Sequence, residues 1–156
     1  MSIRDQFRQH LQAAGSGPVS IDIQDGDERL VCELSELDRF GCACHELRVE
    51  SPKLAQADLA DLQKRSAELS ARLTYLLEPI APIESDGESC SVQMRSNPPH
   101  RDDDGTRYYE LLMRRGGSIS LRRWQSQPGQ CRQQIPAELT REVIVRLAGD
   151  FADELK

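Results

Sequence analysis

Ala55, Leu59, Leu62, Ser66, Leu69, Leu73 and Leu76 follow one another at alternating four- and three-residue steps, with Pro52 and Pro79 bracketing the run. That spacing gathers all seven on one face of a helix and of no other regular structure. Ser51 offers a capping hydroxyl, and Pro52 suits the first helical position, where a missing N–H costs nothing. Pro79 and Pro82 stop the element, so the predicted helix runs from 53 to 78, with Asp61–Arg65 and Glu68–Arg72 as i,i+4 pairs on its outer surface.

On both sides of this helix the apolar residues change period. Val19, Ile21 and Ile23 alternate with polar residues up to Asp25-Gly26-Asp27, and Leu30, Cys32 and Leu34 alternate after it, which predicts a hairpin. Asp38-Arg39-Phe40-Gly41 turns the chain into a third strand carrying Cys42, Cys44, Leu47 and Val49, whose phase slips near His45 as a bulge would make it. Beyond the helix, strands are expected around 89–95, 108–115 and 118–124, with one more allowed at 81–85. Gly116-Gly117 is read as a two-residue turn placing Glu110 opposite Arg123 and Tyr109 opposite Trp124.

Helices close both ends of the pattern. Ser2 and Asp5 form a capping pattern ahead of Ile3, Phe7 and Leu11, predicting a helix over 2–13, and Leu139, Val143, Leu147 and Phe151 trace a last helix after Pro136. The expected fold is α+β, an antiparallel sheet with helices packed on one face, in the order α-β-β-β-α-β-β-β-α. The chain of 156 residues reads as a single domain over 1–156, with 96–105 as an exposed Pro/Asp-rich loop. Segments 28–78 and 106–155 share a hairpin-then-helix order, but without matching residues this is slight support for a duplication.

The net charge of −6 disfavours a protein that coats nucleic acid, yet the charge is uneven. Between Arg95 and Arg132 eight arginines face four acids, a local +4. Arg114, Arg115, Arg122, Arg123 and Trp124 would there form a ligand-binding surface, cations for phosphates and a ring for stacking. Cys32, Cys42 and Cys44 could share a thiophilic ion, but alternation on a core-facing strand explains them without one, and no second ligand pair is evident. His100 to Gly105 has the look of a calcium loop, but its first ligand position is His100 and its twelfth Leu111. No metal site, cofactor or catalytic residue is therefore assigned, and His10, His45 and His100 show no catalytic pairing. The absence of a secretory leader or long apolar span, with five cysteines in a chain this size, predicts a cytoplasmic protein with free thiols.

The order of elements, from the helix with Ile3, Phe7 and Leu11 through three strands and the Leu-rich helix to the acidic last helix ending Gly149-Asp150-Phe151-Ala152-Asp153, resembles the class I chaperones of type III secretion and related domains. The likeness is architectural, carried by no diagnostic motif, and the Pro-Pro-acidic loop and extra strand depart from that pattern. It implies binding of another polypeptide and dimerisation through the central helix. The leading expectation is a non-catalytic, chaperone-like protein-interaction module, with Leu62, Leu69 and Leu73 as partner-binding residues, in contact with another polypeptide or a second copy. The competing one is an anionic-ligand or nucleic-acid binder using the arginine-rich hairpin 107–124.

Overall fold

Each helix begins where a side-chain oxygen takes an N–H that the helix itself cannot satisfy. In the computed structural model, which describes residues 1–156, Ser2 Oγ accepts from the Asp5 N–H (3.1 Å) ahead of α1 (Ile3–Ala14). Thr140 does the same for Val143 (3.1 Å) ahead of α3 (Arg141–Glu154). Asp58 accepts from the Asp61 N–H (2.8 Å) while the Asp61 carboxylate accepts from the Asp58 N–H (3.3 Å), a reciprocal box that opens α2 (Leu59–Arg72).

The central helix is therefore shorter than the predicted 53–78. Ser51 and Pro52 initiate only a single 3-10 turn, Pro52–Leu54, because the Asp58–Asp61 box sets the helix start six residues further on. At the other end Leu73 leaves helical geometry at ψ 61°. The leucine stripe outlasts the helix: Leu73 and Leu76 remain buried in irregular chain, whereas Leu77 is 96% exposed.

The strands are β1 (Val19–Asp25), β2 (Glu28–Leu37), β3 (Gly41–Glu50), β4 (Ile80–Asp86), β5 (Ser91–Ser96), β6 (His100–Asp102), β7 (Gly105–Arg114), β8 (Ser118–Ser126), β9 (Gln133–Ile135) and β10 (Ala137–Thr140). They form one antiparallel sheet in the order β1-β2-β3-β8-β7-β5-β4. The slip near His45 is present: Glu33 faces Glu46 and Leu34 faces Cys44, leaving His45 as the extra residue. There the sheet forks, since β3 pairs with β10 through Gly41–Cys44 and with β8 through Leu47–Glu50. Gln134 of β9 spans the fork by donating to the His45 carbonyl (2.6 Å). The stretch 96–105 is folded, and not exposed throughout: Ser96 is the buried last residue of β5, while the exposed β6 pairs with the start of β7. At the far edge, β4 protects its open side with Pro82, a bulge at Ile83 and acidic side chains.

One face of the sheet carries Leu30, Cys32, Leu47, Leu111, Met113, Ile119 and Leu121, all fully buried under Phe7 and Leu11 of α1, Leu62 and Leu69 of α2, and Leu147 and Phe151 of α3. The other face is polar, with the Asp22–Arg29 pair joining β1 to β2 and Arg48 pairing with Glu46 and Glu50 two residues away along β3.

The turn between β7 and β8 departs from its predicted form. Arg114 faces Ser118, so the loop has three residues, Arg115-Gly116-Gly117, with Gly117 at φ +91° donating its N–H to the Arg114 carbonyl (2.9 Å). A slip of one residue exchanges the faces of the pairing: Tyr109 lies opposite Arg123, Tyr108 opposite Trp124, and Glu110 opposite Arg122.

Candidate functional site

That register decides what the arginine hairpin presents. Arg123 turns to the helix side, where it donates through both terminal nitrogens to Glu78 (3.3 and 2.9 Å) and lies 4.3 Å over the Tyr109 ring. The two charged side chains are 12% and 14% exposed, a nearly buried pair. Removing the carboxylate by Glu78→Ala leaves the guanidinium buried without its counter-charge, and we expect a loss of about 3 kcal/mol in urea unfolding. A loss well under about 1 kcal/mol would mean that Arg123 reaches water.

Arg122 and Trp124 occupy the opposite face. Arg122 pairs with Glu46 (3.1 Å), and the guanidinium of Arg132 lies 3.8 Å over the Trp124 ring while donating to Glu110 (2.6 Å). Arg95 covers the neighbouring Tyr108 in the same way at 4.7 Å. Arg114 and Arg115 are exposed around the turn and carry no ion pair. The five expected ligand-binding residues thus divide between two faces and a tip, their inner cations matched by carboxylates and the indole covered by a guanidinium.

Leu62, Leu69 and Leu73, expected to bind a partner, are 0%, 0% and 2% exposed and pack beneath the sheet. They belong to the core of the single chain, so they offer no free surface for dimerisation through the central helix. Cys32, Cys42 and Cys44 are core residues too. A hydrogen bond with Cys44 and burial push the Cys32 thiol well up, and burial pushes Cys42 up to about 12, which holds both as neutral thiols.

The structure assembles another cluster that no stretch of sequence displays. Between α1, α3 and the β2–β3 turn lies an open cleft of about 470 Å³, lined by Arg4, Arg8, Arg39, Arg141 and Arg146, with Leu11, Val143, Val145 and Phe40 as its apolar part. Glu142 is the one acid in its lining, giving a local +4 in a chain of net −6. Arg8 meets Asp5 at 3.3 Å, an exposed pair worth little, and no carboxylate lies within 4 Å of the guanidinium nitrogens of the other four.

Local chemistry fixes these groups. Asp38 accepts from the N–H groups of Phe40 and Gly41 (both 2.8 Å), which holds its carboxyl below the usual range and locks the turn that displays Arg39 and Phe40. Phe40 is 76% exposed, with Arg39 5.1 Å from its ring. Arg141 donates to the carbonyls of Asp38 (2.6 Å) and Leu11 (3.3 Å), tying the turn and α1 to the start of α3. Arg146 lies 4.1 Å over Tyr75, whose hydroxyl donates to Asp150 (2.5 Å); burial and that acceptor push the phenol well up, so it stays a donor. The stem of Arg4 runs along α3 where Gly149 lacks a side chain, and a Cβ added there would fall 2.8 Å from Arg4 Cδ.

A second cleft shares Phe40 and Thr140 with the first and has the opposite sign, with Glu36, Asp38 and Glu138 in its lining and no cation. None of these three carboxylates has a cation within 4 Å. The arrangement can hold a ligand by charge and by contact with an aromatic ring. The signal available in the sequence was the turn Asp38-Arg39-Phe40-Gly41, which places a large apolar residue where turns are usually polar. Neither a protein-family model, nor a curated protein, nor a solved structure matches the chain.

Proposed function

We propose that this protein is a non-catalytic interaction module, chaperone-like in that it holds a partner polypeptide without altering it. The observation that carries this reading is Phe40, which a locked turn holds 76% exposed beside a cleft of five arginines, of which Arg8 alone has a carboxylate partner. An aromatic anchor surrounded by arginines is the composition that protein interfaces favour at their energetic centres. The competing reading, a phosphate or nucleic-acid surface on hairpin 107–124, has less support, because Arg122, Arg123 and Arg132 are already paired and Arg132 covers Trp124. No helix is long and apolar enough to cross a membrane, and none of the five cysteines is bonded to another. A cytoplasmic setting, where thiols stay reduced, fits this reading.

The test is native mass after purification from lysate, with nuclease treatment and a 260 nm reading, comparing the wild type with Phe40→Ser. The expected result is a polypeptide companion that survives nuclease and is lost from the variant, whose circular dichroism is unchanged. A companion that nuclease removes, or one retained equally by Phe40→Ser, would overturn the proposal.

A further inference from the structure

The two clefts that meet at Phe40 carry opposite net charge, nearly all of it without an ion-pair partner, and this restricts what can lie across them. On one side the exposed Arg4, Arg8, Arg39 and Arg146 and the half-buried, backbone-tethered Arg141 surround an apolar floor; on the other stand Glu36, Asp38 and Glu138. A nucleic-acid strand, uniformly anionic, would gain from the first and be repelled on reaching the second. An isolated phosphate would use the arginines but leave the phenyl ring and the floor uncovered. An occupant that gains along the whole path has an acidic block, an apolar residue and a basic block in succession.

We infer that the Phe40 surface recognises a charge-segregated segment of a partner polypeptide, its acidic half lying in the arginine cleft, its basic half in the carboxylate cleft, and an apolar side chain against the Phe40 ring. This rests on the interaction-module reading and specifies the partner's chemistry. Opposite potentials in sequence fix the direction in which the segment lies as well as its affinity, since the reversed alignment sets like charges against each other on both sides. The locked Asp38 turn and the Arg141 tether hold the two clefts in fixed relation, so little ordering is needed on binding.

The experiment uses the full chain and a dye-labelled peptide with a block of glutamates, one leucine and a block of lysines. Its control is an isomer of the same composition with the charges alternating. Fluorescence anisotropy should show the segregated peptide binding roughly tenfold or more tightly, with Arg39→Glu and Glu138→Lys each removing most of that preference at an unchanged melting temperature. Equal binding of the two isomers, or an all-glutamate peptide that binds as well and ignores Glu138→Lys, would overturn the inference while leaving a polypeptide-binding module standing. Absence of all peptide binding together with a sedimentation mass of two chains would assign the surface to a second copy and overturn it as well. If no peptide binds, the chain is monomeric and Phe40→Ser keeps every companion of the wild type, both the inference and the proposed function fail.

Discussion

Gly117→Ala is expected to cost about 3 kcal/mol or more and to leave the protein unfolded at modest urea concentrations. Two independent penalties meet at this residue. Its φ of +91° is one that a side-chain-bearing residue adopts only under strain, and an added Cβ would lie 1.7 Å from the Ser51 carbonyl oxygen and 2.8 Å from its carbon. The obstacle cannot swing aside like a side chain. It is backbone, already joined to Gly117 by the Ser51 N–H donating to the Gly117 carbonyl (2.7 Å), and it leads directly into the Pro52–Leu54 turn. Gly116→Ala is the natural control, since nothing lies within 4 Å of its Cβ position, and its effect should stay within about 0.5 kcal/mol. Comparable urea midpoints for the two variants would show that the turn does not seat against Ser51 in solution.

Leu69→Ala should cost about 3 kcal/mol, within the range found when a fully buried leucine is cut back and its cavity only partly collapses. Leu69 is 0% exposed and sits in the shared core with Leu62 and the sheet residues above it. If the leucine stripe were instead an interface between chains, the same substitution would halve the native mass while leaving the stability of each chain nearly intact. Urea unfolding and sedimentation on one sample separate the two outcomes: a midpoint that falls with unchanged mass is the result expected of a core position.

The features legible in the sequence are those governed by neighbours along the chain. Alternation at Val19–Ile23 and Leu30–Leu34, the phase slip at His45 and the cap at Ser2 are local, and the strands, the bulge and the first helix lie where they point; Leu139, read as the first residue of the last helix stripe, instead lies in β10, because the Thr140 cap starts α3 at Arg141. The order α-β-β-β-α-β-β-β-α holds, with β4 as the additional strand and β6, β9 and β10 as short additions. Failures arise where distant contacts choose between local options of similar cost. Arg115 can end a strand or open a three-residue loop, and the approach of Gly117 to Ser51 is a contact invisible to a local reading. Ser51-Pro52 is a sound helix start, yet Asp58 with Asp61 is a better one. β9 and β10 have three and four residues, too few for a period to emerge.

The candidate site escaped for a related reason. A charge count along the chain finds arginines that are close in sequence, as in hairpin 107–124, where folding pairs or covers most of them. The cleft beside Phe40 draws its arginines from positions 4, 8, 39, 141 and 146, a set with no local density. A leucine stripe likewise reads the same whether it faces its own sheet or another chain, and only the sheet's position resolves it.

The packing of α1 against α3 joins an early helix to one made much later, and synthesis is vectorial. A nascent chain halted before Arg141 has only the sheet to cover Phe7 and Leu11, because Leu147 and Phe151 have not yet been made. Arg4 and Arg8 would stand on one wall of a cleft whose opposite wall does not exist, and the tether from Arg141 to the Leu11 carbonyl would be missing. The arginine cleft beside Phe40 is therefore assembled only once α3 has been made and has packed against α1.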